Sequence, residues 1–200
     1  MDIKSLFTVI ATVLVFVSSA PYIRDTIRGV TRPHIFSYFL WSLTSVIIFS
    51  LQIANEGGVG SYITLSIGLV TFTIFLLSLK KGRRDIKKID VLFLLLALVT
   101  IPLWLLAKQP ILSISLLVLI DIFAFIPALR KTYIDPWSET LSYYQINAIR
   151  HGINIFALLN ITYITAISPV VGVVFNLVFL MILVSRRRYI KKGTSNVKHY

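Results

Sequence analysis

Long apolar stretches separated by short polar joints dominate this chain. Seven of them approach the length of about 17 to 25 residues that an α-helix needs to cross a bilayer core of roughly 30 Å. They cover residues 6–20, 35–54, 62–79, 91–107, 111–129, 141–159 and 163–185. Helix-breaking or charged residues fill the joints, as in the run Asn55-Glu56-Gly57-Gly58. The pattern predicts an all-α integral membrane protein with seven transmembrane helices.

Composition supports this prediction and excludes several other classes of protein. Hydrophobic residues make up 56% of the chain and charged residues 14%, whereas soluble domains have about 45–50% and about 25%. Cysteine is absent, which excludes disulfides and thiolate metal sites. No zinc-protease, nucleophile-elbow or phosphate-loop motif occurs. We therefore expect no enzyme activity, no cofactor and no metal.

The positive charges predict an orientation, because cytoplasmic loops collect Lys and Arg. Seventeen of the 20 Lys and Arg residues lie in the first, third and fifth joints or in the C-terminal tail. This bias places the N-terminus outside and the C-terminus in the cytoplasm, most simply in the cell membrane. The basic joints then face anionic lipid headgroups, and we expect no nucleic-acid partner.

An internal repeat appears when the sequence is compared with itself at one constant offset. Pro21 then aligns with Pro127, Arg24 with Arg130, Thr26 with Thr132, Tyr38 with Tyr144, Ile47 with Ile153, Leu77 with Leu183, and Lys80 with Arg186. The pattern indicates two parallel three-helix repeats, 1–81 and 111–187, related by an axis along the membrane normal. The segment 82–110 would hold the inversion helix that links them, giving a 3+1+3 plan, and 188–200 would be a basic cytoplasmic tail.

Two ionisable residues fall inside predicted spans, where such residues usually have a functional role and a partner. Asp121 in the fifth span and Arg150 in the sixth lie about eight and nine residues from the same side, or roughly 12 and 14 Å deep. We expect an intramembrane ion pair between them. In a second interpretation Arg150 is shared with a substrate, or protonation of Asp121 alters the pair. His151 beside it is expected to bond a neighbouring helix rather than to relay protons.

The segment PYIRDTIRGVTRPHIFSYFLW and its counterpart PALRKTYIDPWSETLSYYQIN resemble the proline-centred segments of the SWEET and PQ-loop superfamily. The likeness covers nearly the whole chain at the level of architecture. Nicotinamide riboside transporters, which share the 3+1+3 plan, are the second relative. The resemblance implies a facilitator or exchanger for a small polar solute, acting by alternating access.

The resemblance also implies site residues. Substrate-contacting positions of the second and third helices of each repeat correspond to Tyr38, Trp41, Tyr144, Asn147 and Asn176, and Arg150 lies nearby. An amide can both donate to and accept from hydroxyls, and a flat ring offers a stacking face. An equally weighted alternative is that the asparagines bond across helix interfaces. The resemblance assigns hinges to Pro21, Pro33 and Pro127, although plain helix termination is as reasonable a role.

The prediction is therefore a transporter whose solute passes between the two repeats, with homo-oligomers possible but not required. The alternative is a receptor or scaffold of the same fold that does not move solute. A polar cavity lined by both repeats would favour the transporter, and an apolar filling would favour the scaffold.

Overall fold

Helices form almost all of the part of the chain that the structure describes. The structure is a computed structural model that describes residues 2–81 and 86–191, except for the side chain of Trp104. Its α-helices are α1 (Ile3–Ile27), α2 (Ile35–Ala54), α3 (Ser61–Lys81), α4 (Lys88–Leu106), α5 (Pro110–Ile134), α6 (Leu141–Ala157) and α7 (Tyr163–Tyr189). Short 3-10 helices at Gly58–Gly60 and Pro136–Ser138 precede α3 and α6. The prediction of an all-α protein with seven helices is confirmed.

Four of the predicted cytoplasmic charges, Arg83, Arg84, Lys192 and Lys198, lie outside the described residues, as does most of the tail 188–200.

Local sequence signals explain where several helices begin. Asp2 precedes α1 and its carboxylate accepts a hydrogen bond from the Ser5 backbone amide at 2.6 Å. Thr162 precedes α7 and forms a reciprocal capping box with Thr165. Pro110 opens α5, at a position where a missing amide hydrogen costs nothing. These contacts satisfy backbone amides that have no partner inside the helix.

Five segments are long and apolar enough to cross a membrane: α1, α2, the segment Gly58–Lys81 that contains α3, α5, and α7. Their outward faces carry large apolar side chains such as Val13, Phe72 and Met181, which are 53%, 49% and 63% exposed. Such a surface suits contact with lipid rather than with water. The shorter α6 and the helix α4 pack beside them, so seven crossings remain a prediction.

The helices pack in a regular pattern. α3 contacts both α1 and α2, and α7 contacts both α5 and α6. The group α1, α2 and α3 meets the group α5, α6 and α7 where α1 packs on α6 and where α2 packs on α5. Helix α4 lies against α5. Two apolar clusters fill these interfaces, one around Tyr22 and Ile74, the other around Leu40 and Leu117. The space enclosed between the groups is where the polar residues converge.

Two proline assignments need correction. The sequence suggested that Pro21 and Pro127 stand at helix ends and that one of their roles could be helix termination. Instead, both lie inside α1 and α5, which continue to Ile27 and Ile134. A proline inside a helix removes one backbone hydrogen bond without ending the helix when the packing on both sides is maintained. Pro33 lies just before α2, as expected for a residue that opens the helix.

Candidate functional site

A cavity of about 110 Å³ lies inside the bundle, between α2, α3, α5, α6 and α7. A water molecule needs roughly 10–15 Å³ of such space, so the cavity can hold several waters or one small organic molecule. Its wall residues with a polar side-chain atom are Trp41, Ser45, Thr64, Thr71, Asp121, Tyr143, Tyr144, Asn147, Arg150, His151, Ser168 and Asn176, and the rest are Ile67, Val171, Gly172, Phe175 and Phe179. The residues predicted to bind substrate all line it, with the exception of Tyr38.

Arg150 is the main cationic group of the cavity wall. It is 3% exposed. Its Nε donates to Asn147 Oδ1 at 2.9 Å, and its Nη2 lies 2.8 Å from His151 Nε2. Nη1 has no hydrogen-bond partner. Asn147 and Arg150 are three residues apart on α6, so helical geometry places them on one face.

Asn147 also joins α6 to α1, because Ser18 Oγ donates to the same Oδ1 atom at 3.1 Å. The prediction that this asparagine bonds across a helix interface is therefore correct. Asn147 therefore links Ser18 of α1 to Arg150 of α6, because its Oδ1 accepts a hydrogen bond from each.

Asp121 occupies another part of the wall, on α5. Its Oδ1 accepts a hydrogen bond from Thr44 Oγ1 of α2 at 2.6 Å. Trp41, also on α2, directs Nε1 toward the Asp121 backbone carbonyl at 3.4 Å. The two helices thus fix this carboxylate without a cationic partner of its own.

The predicted ion pair between Asp121 and Arg150 is not formed: neither residue has the other as a partner. The reason lies in the length of α5. This helix continues past Pro127 to Ile134, which puts Asp121 thirteen residues, or roughly 20 Å, from that helix end. Arg150 lies nine residues, or roughly 14 Å, after the start of α6 at Leu141. Asp121 and Arg150 therefore do not lie at the same depth, as the prediction required, although both line one cavity.

Asn176 contributes an amide from α7. Its Nδ2 donates to the Gly172 carbonyl at 2.7 Å, within its own helix. The alternative that Asn176 bonds a neighbouring helix is therefore wrong. Its side chain lines the cavity beside Phe175 and Phe179.

Gly172 shapes the wall in a way that the sequence alone did not indicate. A Cβ atom at this position would lie 2.5 Å from His151 Nδ1 and Cε1. Only glycine therefore lets α7 approach the imidazole, which in turn contacts Arg150. His151 bonds its neighbour in sequence rather than another helix, so the expected interhelical bond is not the one observed.

Four buried tyrosines close one end of the cavity. Tyr143 and Tyr144 line it, and Tyr22 and Tyr38 lie directly behind them. The ring centroids of Tyr22 and Tyr143 are 4.4 Å apart, and those of Tyr22 and Tyr38 are 5.8 Å apart. Tyr38 also packs edge-on against Trp41 at 5.3 Å. Tyr38 thus supports a wall residue instead of touching the cavity.

Ion pairs lie beyond the tyrosines. Lys131 on α5 pairs with Glu139, and both side chains are almost completely buried. The second Glu139 oxygen accepts a hydrogen bond from Tyr144 at 2.8 Å, and Arg187 of α7 donates to its backbone carbonyl at 2.5 Å. In the sequence these cations indicated only the orientation of the chain, because a carboxylate next to basic residues in a joint does not reveal its burial.

A second ionic cluster at this end joins three helices. Arg130 of α5 binds the Asp90 carboxylate at 2.5 Å, and His34, which precedes α2, lies 3.8 Å from the same carboxylate. Burial lowers the pKa of His34, and the neighbouring Asp90 carboxylate opposes that effect. Together, the two clusters form a charged layer made of Lys131, Glu139, Arg187, Asp90, Arg130 and His34.

Comparison of the chain with protein-family models, with curated proteins and with solved structures finds no match. Within the described ranges, no three His, Asp or Glu side chains form a group that could hold a metal ion. The side chains of the cavity wall supply a guanidinium, a carboxylate, two amides, an imidazole, hydroxyls and aromatic rings.

Proposed function

We propose that the protein is a membrane transporter that moves a small polar solute by alternating access between two three-helix units. The observation that carries this proposal is the polar cavity. Helices α2 and α3 line it on one side and α5, α6 and α7 on the other. An apolar bundle gains no stability from buried polar groups that face an empty space, so a polar cavity favours a function that requires one.

The 3+1+3 plan is supported by the packing. Applying the offset of the internal repeat to α1, α2 and α3 brings them onto α5, α6 and α7. The same operation exchanges the contact of α1 with α6 for the contact of α5 with α2, and both contacts occur. In each unit the third helix packs between the first and the second. The helix α4 would then return the chain to the side from which the second unit starts.

The proposed orientation places the charged layer at the cytoplasmic face and the N-terminus outside, in the cell membrane. The distribution of Lys and Arg supports it. In this orientation the cavity wall extends from Tyr143 and Tyr144, in the first turn of α6, to Thr64 and Ser168, in the first two turns of α3 and α7, which begin on the opposite side. The tyrosines and the charged layer separate it from the cytoplasm.

The roles of the site residues follow the resemblance to the SWEET and PQ-loop superfamily. Trp41 gives a solute a flat stacking face, while Asn147 and Asn176 offer amide groups. Both hydrogen bonds observed at the Asn147 side chain are accepted by its amide oxygen. Tyr144 and Arg150 complete the wall. The prolines Pro21 and Pro127 are proposed as hinges, each at a place where its helix lacks one backbone bond.

Uptake into liposomes tests the proposal. The purified protein should accumulate at least one solute from a panel of sugars, amino acids and nucleosides above the level of empty liposomes. Replacement of Trp41 or Asn176 by alanine should abolish uptake. Folding and insertion should stay intact in the Asn176 variant, because this amide bonds within its own helix, whereas loss of Trp41 also removes packing against Tyr38. The matched control is Leu177→Ala, since Leu177 follows Asn176 but is 47% exposed on the outer face of α7.

Uptake at the wild-type rate in the Trp41 and Asn176 variants would overturn the site. Binding of a solute without any uptake would instead favour the receptor or scaffold of the same fold.

A further inference from the structure

We infer that the solute of this cavity is a small zwitterion that carries one carboxylate and one ammonium group. The inference rests on the proposed function for the identity of the site, but it adds the chemical class of the ligand. Its basis is that Arg150 and Asp121 line one cavity and have opposite charges, yet do not pair with each other.

The environment of Arg150 leaves room for an anion. Two of its three nitrogens are bonded to neutral groups, the Asn147 amide oxygen and His151, and the third has no partner. A buried guanidinium is costly without an anionic partner. A carboxylate is the partner that matches it best, because two parallel N–H···O bonds can form between the planar groups.

The environment of Asp121 leaves room for a cation. Among the described residues, the only side-chain bond to its carboxylate comes from the Thr44 hydroxyl and reaches one oxygen. Trp41 lies against the same residue, with its indole nitrogen 3.4 Å from the Asp121 carbonyl. An ammonium group can combine hydrogen bonds to a carboxylate with attraction to an aromatic face.

The charges of the wall discriminate between classes of ligand. Among the described residues that line the cavity, the carboxylate of Asp121 and the guanidinium of Arg150 balance each other. A neutral polyol would leave both without an ionic partner, and a simple anion or cation would leave one. A zwitterion satisfies both groups at once. The cavity volume of about 110 Å³ restricts the ligand to a small molecule.

Ligand-induced thermal stabilisation of the purified protein in detergent tests the inference independently of transport. L-Leucine is the zwitterionic probe. Isocaproate carries the same side chain with the carboxylate alone, isoamylamine carries it with the ammonium alone, and glucose represents neutral polyols. L-Serine replaces L-leucine in a second series, so that size does not decide the result. We expect one of the two amino acids to bind at least about tenfold more tightly than the singly charged compounds and glucose.

Charge-removing variants should change the selectivity in opposite directions. Arg150→Gln should lose the preference for a carboxylate and bind isoamylamine as well as it binds the amino acid. Asp121→Asn should do the same for isocaproate. The matched controls are Lys108→Gln, which removes an exposed cation, and Asp2→Asn, which keeps a residue able to cap α1. Neither control should change the ratio of the affinity for the amino acid to the affinity for isocaproate or isoamylamine.

The outcomes separate this inference from the proposed function. Uptake of glucose or a nucleoside together with no binding of either amino acid would overturn the inference and leave the transporter intact. Binding of an amino acid without uptake of any solute would support the inference and overturn transport. If neither amino acid binds the wild-type protein, or if the singly charged compounds bind equally well, the inference is wrong, whether or not the variants fold.

Discussion

The two ends of the helix bundle are held together by different interactions. At one end, Lys131 with Glu139 and Arg130 with Asp90 form buried or half-buried ion pairs. At the other end, which we call the neutral end, the described residues are joined by hydrogen bonds and not by ion pairs: Gln52 Nε2 donates to the Thr165 carbonyl at 2.8 Å, the Leu159 amide donates to the Gly57 carbonyl at 3.0 Å, and Asn160 Nδ2 donates to the Glu56 carboxylate at 3.1 Å. Lys4 is the one cation there in the described residues that bonds protein, and its Nζ reaches the Leu158 and Leu159 carbonyls.

This difference indicates which end can open more easily. A buried ion pair is costly to break when one partner is left behind, whereas a neutral hydrogen bond contributes about 0.5–1.5 kcal/mol. We therefore expect the state seen here to exchange with solutes from the neutral end, and the charged layer to separate only in the opposite state of the transport cycle.

The largest expected effect is a difference in thiol reactivity between the two ends, which reports which end faces the cytoplasm. The chain has no native cysteine, so a single introduced cysteine reports its own position. Val59, at the neutral end, is 45% exposed. In intact cells Val59→Cys should react with an impermeant thiol reagent, and Ser195→Cys in the tail should not. Reaction of both from outside would contradict the proposed orientation.

Loss of the Glu139 carboxylate should cause the largest loss of stability. Glu139→Gln removes the anion that faces Lys131 inside the protein, and we expect a loss of about 3 kcal/mol in the free energy of unfolding. Chemical unfolding in detergent measures it. Gln52→Leu at the neutral end removes one bond to a carbonyl and should cost only about 1–2 kcal/mol. Equal losses at the two ends would remove the distinction between them.

An intermediate effect is expected at Gly172. Gly172→Ala places a methyl group against the His151 ring, and we expect a loss of about 1–3 kcal/mol together with weaker solute binding. Gly152→Ala on α6 is the matched control, because nothing lies within 4 Å of its Cβ position. That substitution should stabilise the helix by about 0.5–1 kcal/mol. Thermal unfolding of both variants gives the comparison, and destabilisation by both to the same extent would show that close packing at Gly172 is unimportant.

The smallest effect on stability is expected at the proposed hinges. Pro21→Ala and Pro127→Ala should slow uptake several-fold without weakening solute binding, because a hinge acts on the interconversion of states and not on contacts within one state. Initial uptake rates and equilibrium binding measure the two quantities separately. Pro102→Ala, on a helix that does not line the cavity, serves as the control. Loss of binding in the Pro21 or Pro127 variant would assign those prolines to packing.

The seven helices were predictable from the sequence because most of them are long apolar runs. Among the wall residues, Arg150 was singled out as an ionisable residue inside an apolar run, and Trp41, Asn147 and Asn176 came from the resemblance to the SWEET and PQ-loop superfamily. What the sequence did not reveal depends on how the helices are rotated and how far they extend. Nothing in the local sequence shows that α5 continues through Pro127, and this extension separates Asp121 from Arg150.

The partners of the wall residues were equally hidden. Thr44 and Ser18 are hydroxyl residues like many others in these helices, and only the packing of α2 on α5 and of α1 on α6 brings them to Asp121 and Asn147. The role of Gly172 depends on a close approach between two helices. The burial of Lys131 and Glu139 likewise depends on tertiary packing, since both stand in a stretch that is typical of a polar joint.

The most direct test of the cavity as the solute pathway uses a single cysteine on its wall. Thr71→Cys places a thiol at a site that is 4% exposed and lines the cavity. A small impermeant thiol reagent should modify it from the external side of proteoliposomes, modification should stop uptake, and the transported solute should slow the modification. Uptake that continues at the same rate after complete modification of Cys at this position would contradict a pathway through the cavity.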